Sequence, residues 1–146
     1  MATALEWLAT LSAGLFAGAA LYVSLVEHPA RLSLGPGAAV QEFAPSYRRG
    51  AAMQAPLSLI GALAGIARGV TGGSAAWLAG GLALGALVPF TLIVILPTNK
   101  RLLAETLDPT SAEAQRLLSR WGRLHGVRTV VSLVVFGAFV AGLACR

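Results

Sequence analysis

The chain has 146 residues, of which 56% are hydrophobic and only 12% are charged, and its mean hydropathy is +0.74. Soluble domains carry about 25% charged residues, so this composition excludes an ordinary soluble domain and indicates a membrane protein. The formal net charge is +5. The basic residues nevertheless flank apolar runs instead of forming a stripe beside aromatic side chains, which argues against nucleic-acid binding.

Four apolar runs follow one another along the chain, at about residues 7–26, 50–67, 69–96 and 129–145. Each supplies the roughly 17–25 residues that a helix needs to cross ~30 Å of hydrocarbon. The sequence therefore predicts an all-α fold, a four-helix transmembrane bundle, in which residues 1–146 form a single membrane domain.

The basic residues are distributed unevenly between the two sides of this bundle. Segments 27–49 and 97–128 share one side and hold three and six of the eleven Lys and Arg residues. Arg68 and Arg146 remain for the other side. The positive-inside rule then predicts that both segments are cytoplasmic and both termini outside, in a multi-pass protein of the inner (plasma) membrane. The lipid bilayer is thus the first predicted partner.

Pairs of glycines four residues apart recur in three of the four runs. Such pairs let helix backbones approach closely, because lipid offers no hydrophobic drive for helix association and packing contacts must supply it. The pairs are Gly14 with Gly18, Gly61 with Gly65, and Gly81 with Gly85. They predict a tight bundle, and the sequence leaves open whether they pair within one chain or in a homo-oligomer.

The segment before the fourth run has the pattern of a helix start. Thr110 and Glu113 are spaced as a capping box, so a helix should begin near Thr110. Nothing forces it to stop before the last run, so the fourth helix is predicted to extend into the cytoplasm, with Gly122 and Gly126 as candidate break points. A break at Gly122 would place His125 near a helix N-terminus, where neutral imidazole is favoured.

Polar residues suited to chemistry gather at the predicted cytoplasmic ends of the runs. They are Glu27, His28, Tyr47, Arg48, Gln54, Asn99, Trp121, His125 and Arg128. Spacings of four and three place Trp121, His125 and Arg128 on one helix face. The sequence therefore predicts a candidate site at this level of the bundle.

Glu27 ends the first run, where a carboxylate faces the negative end of the helix dipole and requires a cation. Arg48 and Arg128 are the candidate cations, with His28 as a further partner in a charge network. The alternative is an interfacial glutamate exposed to water.

His28 and His125 are the two histidines of the chain. Either is a candidate general base, a metal ligand together with Glu27, or one axial ligand of a bis-histidine haem. No sequence spacing supports a metal site, so no cofactor is predicted, although metal and haem both stay open. The plainer alternative is an interfacial side chain hydrogen-bonded to the backbone.

The chain resembles the anthrone oxygenase-like family of small membrane proteins over essentially its whole length. The matching segments are Glu27-His28-Pro29-Ala30, Tyr47-Arg48, Pro97-Thr98-Asn99-Lys100-Arg101-Leu102 and Trp121-x-x-Leu124-His125-x-x-Arg128. The resemblance implies a four-helix membrane bundle. In members from polyketide pathways it also implies oxidation of an anthrone to an anthraquinone with O₂ and without an evident cofactor. It points to four positions, His28, Asn99, His125 and Arg128.

An anthrone needs little from a catalyst, because loss of one CH₂ proton gives a delocalised carbanion that donates an electron to O₂. The hypothesis is that His125 or His28 takes the proton, while Arg128 or Arg48 with Asn99 stabilises the oxyanion. Tyr47 and Trp121 would stack on a flat aromatic or quinone-like substrate at the cytoplasmic interface, and Gln54 would help to bind it.

Two other functions compete with this reading. One is a binding or scaffold module without chemistry, which holds a quinone, a lipid or a haem. The other is a transporter or channel, which is disfavoured because no ionisable residue lies at the middle of any run. Whether the chain is an enzyme is therefore left open at this stage.

Overall fold

A computed structural model of the protein describes residues 3–72 and 74–145, and these residues form four long helices and no strand. The helices are α1 (Ala4–Ser33), α2 (Pro36–Gly72), α3 (Ala75–Leu102) and α4 (Ala112–Ala144), each long and apolar enough to cross a membrane. The predicted all-α four-helix bundle is confirmed. The predicted position of Arg146 falls outside the described residues.

The helices pack as a square, in which α2 and α4 each contact both α1 and α3. One apolar cluster fills the half of the bundle near the α2–α3 turn, around Phe16, Leu84 and Phe139. A second fills the half near the α3–α4 connection, around Phe43 and Trp121. The polar residues described below lie beside this second cluster.

The start of α4 differs by one residue from the sequence expectation. Ser111, not Thr110, caps α4, and its hydroxyl accepts a hydrogen bond from the Ala114 backbone at 3.1 Å. The Thr110 hydroxyl instead donates to the Asp108 carboxylate at 2.7 Å. The hydrogen bonds from the Thr110 side chain and backbone hold the pKa of Asp108 below its usual range.

The predicted long fourth helix is observed: α4 runs without interruption through Gly122 and Gly126, and neither candidate break point divides it. His125 is therefore a mid-helix residue and gains nothing from a helix N-terminus. Arg68, which separates the second and third apolar runs, likewise lies inside α2. Its guanidinium pairs there with the buried Glu6 carboxylate of α1, with 2.5 Å between Nε and Oε1.

Two helices contain a π turn, Val23–Glu27 in α1 and Thr91–Ile95 in α3. Each turn ends two residues before a proline, Pro29 and Pro97 respectively. A proline ring crowds the carbonyl four residues earlier, and a π turn widens the helix at that carbonyl. Proline alone does not impose the turn, because Pro56 lies in α2 without one.

Glycines bring α2 and α3 into close contact. A Cβ on Gly81 would lie 2.5 Å from the Ile66 nitrogen and 2.9 Å from the Ala62 oxygen, and one on Gly65 would lie 3.0 Å from the Gly81 Cα. Gly18, by contrast, faces open space. Gly65 and Gly81 thus serve packing inside one chain.

We expect Gly81→Ala to lower the melting temperature in detergent, because the new methyl group forces the α2 and α3 backbones apart, at a cost of about 1–3 kcal/mol. Gly18→Ala is the matched control and should leave the melting temperature unchanged or raise it slightly, since alanine favours a helix by about 1 kcal/mol over glycine. Equal melting temperatures for the two variants would contradict the observed packing.

Candidate functional site

A cavity of about 430 Å³ lies between the helices beside the second apolar cluster, and all four helices line it. Seven of the nine sequence-predicted site residues lie on its wall. They are Glu27, Tyr47, Gln54, Asn99, Trp121, His125 and Arg128. Residues more than 100 positions apart in the chain are therefore brought together, as expected of a binding site built between the helices of a bundle.

His125 is the titratable base of this cavity. Its ring is 3% exposed and stacks on Trp121, with 4.8 Å between the ring centroids. The Ser24 hydroxyl lies 3.1 Å from Nδ1. The imidazole is thus held from two sides while it lines the cavity.

Asn99 and Arg128 present polar atoms that the described residues leave without partners. Both amide atoms of Asn99 and Nε of Arg128 are buried and make no hydrogen bond. Most buried polar groups in proteins do have a partner, so three such atoms on two residues that line the cavity are an exception that calls for explanation. Arg128 does donate one hydrogen bond, from Nη2 to Gln54 at 3.2 Å.

The charge of Arg128 is also unbalanced. No carboxylate lies within ion-pairing distance of it in the described part of the chain. Its guanidinium instead lies 5.3 Å from the centre of the Phe16 ring. A partly buried cation whose neighbours are an amide and an aromatic face favours an anionic group in the adjoining space.

Glu27 pairs with Arg31 and not with Arg48 or Arg128, which corrects the sequence expectation. The Arg31 guanidinium, 3% exposed, also pairs with Glu42 and donates to the Ser46 hydroxyl at 2.7 Å. A pair four residues apart on a helix meets naturally on one face. That spacing is the signal by which sequence reasoning could have found Arg31.

Aromatic rings form the apolar part of the wall. Tyr47 stacks parallel to Phe43 at 5.6 Å, and Phe43 meets Trp121 edge-on at 5.3 Å. Tyr22 and Met53 also line the cavity and are 57% and 52% exposed. Because these two residues lie on α1 and α2, the opening is on the side of the bundle between those helices.

Two predicted site residues are placed elsewhere. Arg48 is exposed and does not line the cavity. His28 is buried but lines a second cavity of about 320 Å³, which shares Trp121 and His125 with the first. Its ring packs against Gly122, where a Cβ would lie 2.6 Å from Nε2.

The described residues contain no group of three His, Cys, Asp or Glu side chains close enough to hold a metal ion. The Glu27 carboxylate is already engaged by Arg31 and Ser46. The acidic and histidine side chains of the site are therefore spread around the cavity.

Comparison with known proteins shows the family of the chain. The profile of the family described as "Anthrone oxygenase" matches residues 43–138. The chain belongs to the anthrone oxygenase family. Among curated relatives, the anthrone oxygenase tpcL of Aspergillus fumigatus is 29% identical over 136 residues, covering 86% of this chain and 84% of that protein. No solved structure matches the chain.

The family match includes α2 from Phe43 onward, and with it several cavity residues that sequence reasoning missed. Among these are Phe43, Ser46 and Arg49 on α2, whereas Arg31 on α1, also missed, lies before the matched residues. Arg49 lines the cavity where its neighbour Arg48 does not. Adjacent helical residues point about 100° apart, so the choice between them depends on a rotation of α2 that no sequence pattern specifies.

The two neighbouring arginines offer a matched test of the cavity. We expect Arg49→Gln to weaken binding of a hydroxylated anthraquinone, measured by titration in detergent micelles, because a cation at the wall favours the phenolate form of the ligand. Arg48→Gln removes the same charge from the outer surface and should leave the affinity unchanged. An equal loss in both variants would mean that overall charge, and not this cavity, governs binding.

Proposed function

We propose that the protein oxidises a flat hydroxylated aromatic substrate of the anthrone type with O₂ in this cavity, at the cytoplasmic headgroup level of the inner membrane. One observation carries the proposal. His125, Asn99 and Arg128 line one cavity with aromatic walls, and the last two carry buried polar atoms without a hydrogen-bond partner among the described residues. The anthrone oxygenase named among the relatives supports the same reaction class.

His125 is the general base of the proposed reaction. It lines the cavity, whereas His28 lines the neighbouring one. The substrate CH₂ lies between two aromatic rings and opposite a ring carbonyl, so transfer of one proton to His125 leaves the charge delocalised onto that carbonyl oxygen. A positioned base of this kind contributes about 10²–10⁴-fold to a rate.

Arg128 and Asn99 stabilise the oxyanion that forms. The amide of Asn99 has an uncommitted donor, and the Arg128 cation has no carboxylate partner among the described residues. Donors that are already in place and desolvated act most strongly on charge that develops during a reaction. Neither group must break an ion pair before it binds the enolate.

The remaining steps need no external reductant. The enolate carbon transfers one electron to O₂, and the two radicals combine to form a C–O bond. The His125 imidazolium then protonates the terminal oxygen of the resulting peroxide. Removal of the second C–H proton then forms the new carbonyl and breaks the O–O bond, releasing water. One oxygen atom ends in the product carbonyl and the other in water, and both C–H bonds supply the four electrons.

The shape of the cavity suits this substrate class. Its volume of about 430 Å³ lies in the usual range for small-molecule sites, about 300–1,000 Å³. The Tyr47, Phe43 and Trp121 rings offer flat apolar faces. An opening bordered by exposed Tyr22 and Met53 lets an apolar substrate enter from the lipid.

We expect His125→Gln to reduce kcat for anthrone-dependent O₂ uptake by about 100-fold or more, because the base is lost. His28→Gln should retain most of the activity, since that ring lines the other cavity. Oxygen electrode traces with a hydroxylated anthrone in detergent micelles would measure both, with protein-free micelles to subtract spontaneous oxidation. Full turnover in both histidine variants would show the mechanism to be wrong.

Arg128→Gln should lower kcat by about 10²–10³-fold, the usual loss when one donor to an oxyanion is removed. Arg128→Lys keeps the charge but not the fork of donors, so an intermediate rate is expected. Arg123→Gln removes an exposed charge from the same helix and serves as the control. Tight binding of anthrone by wild-type protein without O₂ uptake would instead identify a binding module.

A further inference from the structure

We infer that Ser24 and Thr129 are positioning residues that hold His125 in the tautomer with its proton on Nδ1 and a free lone pair on Nε2 facing the cavity. This role in catalysis rests on the proposed function, whereas the tautomer is a property of the free protein. Neither residue lies on the wall of the main cavity.

A series of hydrogen bonds joins His125 to the backbone of α1. The Ser24 hydroxyl lies 3.1 Å from His125 Nδ1 and 2.7 Å from the Thr129 hydroxyl. The Thr129 hydroxyl in turn lies 3.1 Å from the carbonyl oxygen of Ala20 and 3.2 Å from that of His125. The series of hydrogen bonds therefore ends on two carbonyl oxygens, which can accept a hydrogen bond but cannot donate one.

Those carbonyls determine which group donates in each hydrogen bond of the series. Thr129 has one hydroxyl proton and donates it to a carbonyl, so its oxygen accepts from Ser24. Ser24 then has no proton left for the ring, and its oxygen accepts from Nδ1–H. In the reverse direction Thr129 would donate to Ser24, and its lone pairs would face two carbonyl oxygens at 3.1 Å and 3.2 Å. The forward direction makes one more hydrogen bond.

The two cavities show which way the ring faces. His125 lines both cavities, whereas Ser24 lines only the smaller one. The Nδ1 edge is therefore on the side of the smaller cavity, and the opposite edge with Nε2 faces the larger one. Stacking on Trp121 at a 25° interplanar angle restrains the ring in this orientation. A neutral histidine with Nδ1–H has its basic lone pair on Nε2, as a base toward the main cavity requires.

The π turn of α1 supplies the serine. Ser24 is the second residue of the turn Val23–Glu27, and Ala20 lies just before it. Thr129 comes one helical turn after His125 on α4, so the two side chains share a face. The two hydroxyl groups thus come from two helices. The π turn that carries Ser24 lies beside the candidate site, as π turns often do.

Histidine ring ¹⁵N NMR of the protein in micelles, at a pH where the ring is neutral, reads the tautomer directly. His28→Gln identifies the His28 signals. We expect His125 of the wild type to carry its proton on Nδ1, and Ser24→Ala and Thr129→Val to populate the Nε2–H form. Thr129→Ser keeps the hydroxyl and should restore the wild-type spectrum.

O₂ uptake provides the second readout. Ser24→Ala and Thr129→Val should lower kcat at least about tenfold, because a ring with its proton on Nε2 is no base toward the cavity, and KM should change little. Ser58→Ala removes a buried hydroxyl far along α2 and should change neither readout. A wild-type His125 with its proton on Nε2 would overturn the inference whatever the activity. A wild type with Nδ1–H but without any anthrone oxidation would leave the tautomer assignment standing and refute the proposed function.

Discussion

The buried guanidinium of Arg31 pairs with Glu27 of its own helix α1 and with Glu42 of α2, and the site is arranged around this contact. The cation is buried while both carboxylates remain partly exposed, so the pairs compensate a charge that water cannot reach. The group also packs over the Phe43 ring at 5.5 Å and the Trp121 ring at 5.6 Å. One cation therefore holds the end of α1, the start of α2 and the aromatic wall in a common geometry.

Arg128 differs from Arg31 in this respect, although both line the same cavity. Arg31 is balanced by two carboxylates, whereas Arg128 has an amide and an aromatic face. The ion pairs therefore leave Arg31 compensated and Arg128 without a carboxylate partner among the described residues. Under the proposed function, a neutral aromatic molecule would enter such a site without a large electrostatic penalty, and its anion would be favoured once a proton has left. In that proposal Arg31 serves the structure and Arg128 the chemistry.

Much of the architecture was readable in the sequence, because hydrophobic length and basic flanks are strong signals for helices in lipid. The shared face of Trp121, His125 and Arg128 followed from helical spacing, and all three line one cavity. Other features depend on competition between neighbouring groups. At the start of α4, for example, Asp108 accepts a hydrogen bond from Thr110, and the neighbouring Ser111 supplies the cap. Likewise, Ser24 carried no sequence signal, since its contacts span more than 100 residues of chain.

A π turn is a turn of helix with one residue inserted, so the geometry of the site depends on the number of residues in this part of α1. Deletion of one residue between Val23 and Glu27 would restore a regular helix and rotate the part before it by about 100°. The Ala20 carbonyl and the Glu27 carboxylate could then no longer both face the groups that they contact on α4 and α2. The site is therefore more sensitive to insertions and deletions in this turn than to the identity of its apolar side chains, because only the former change which half of the helix faces the cavity.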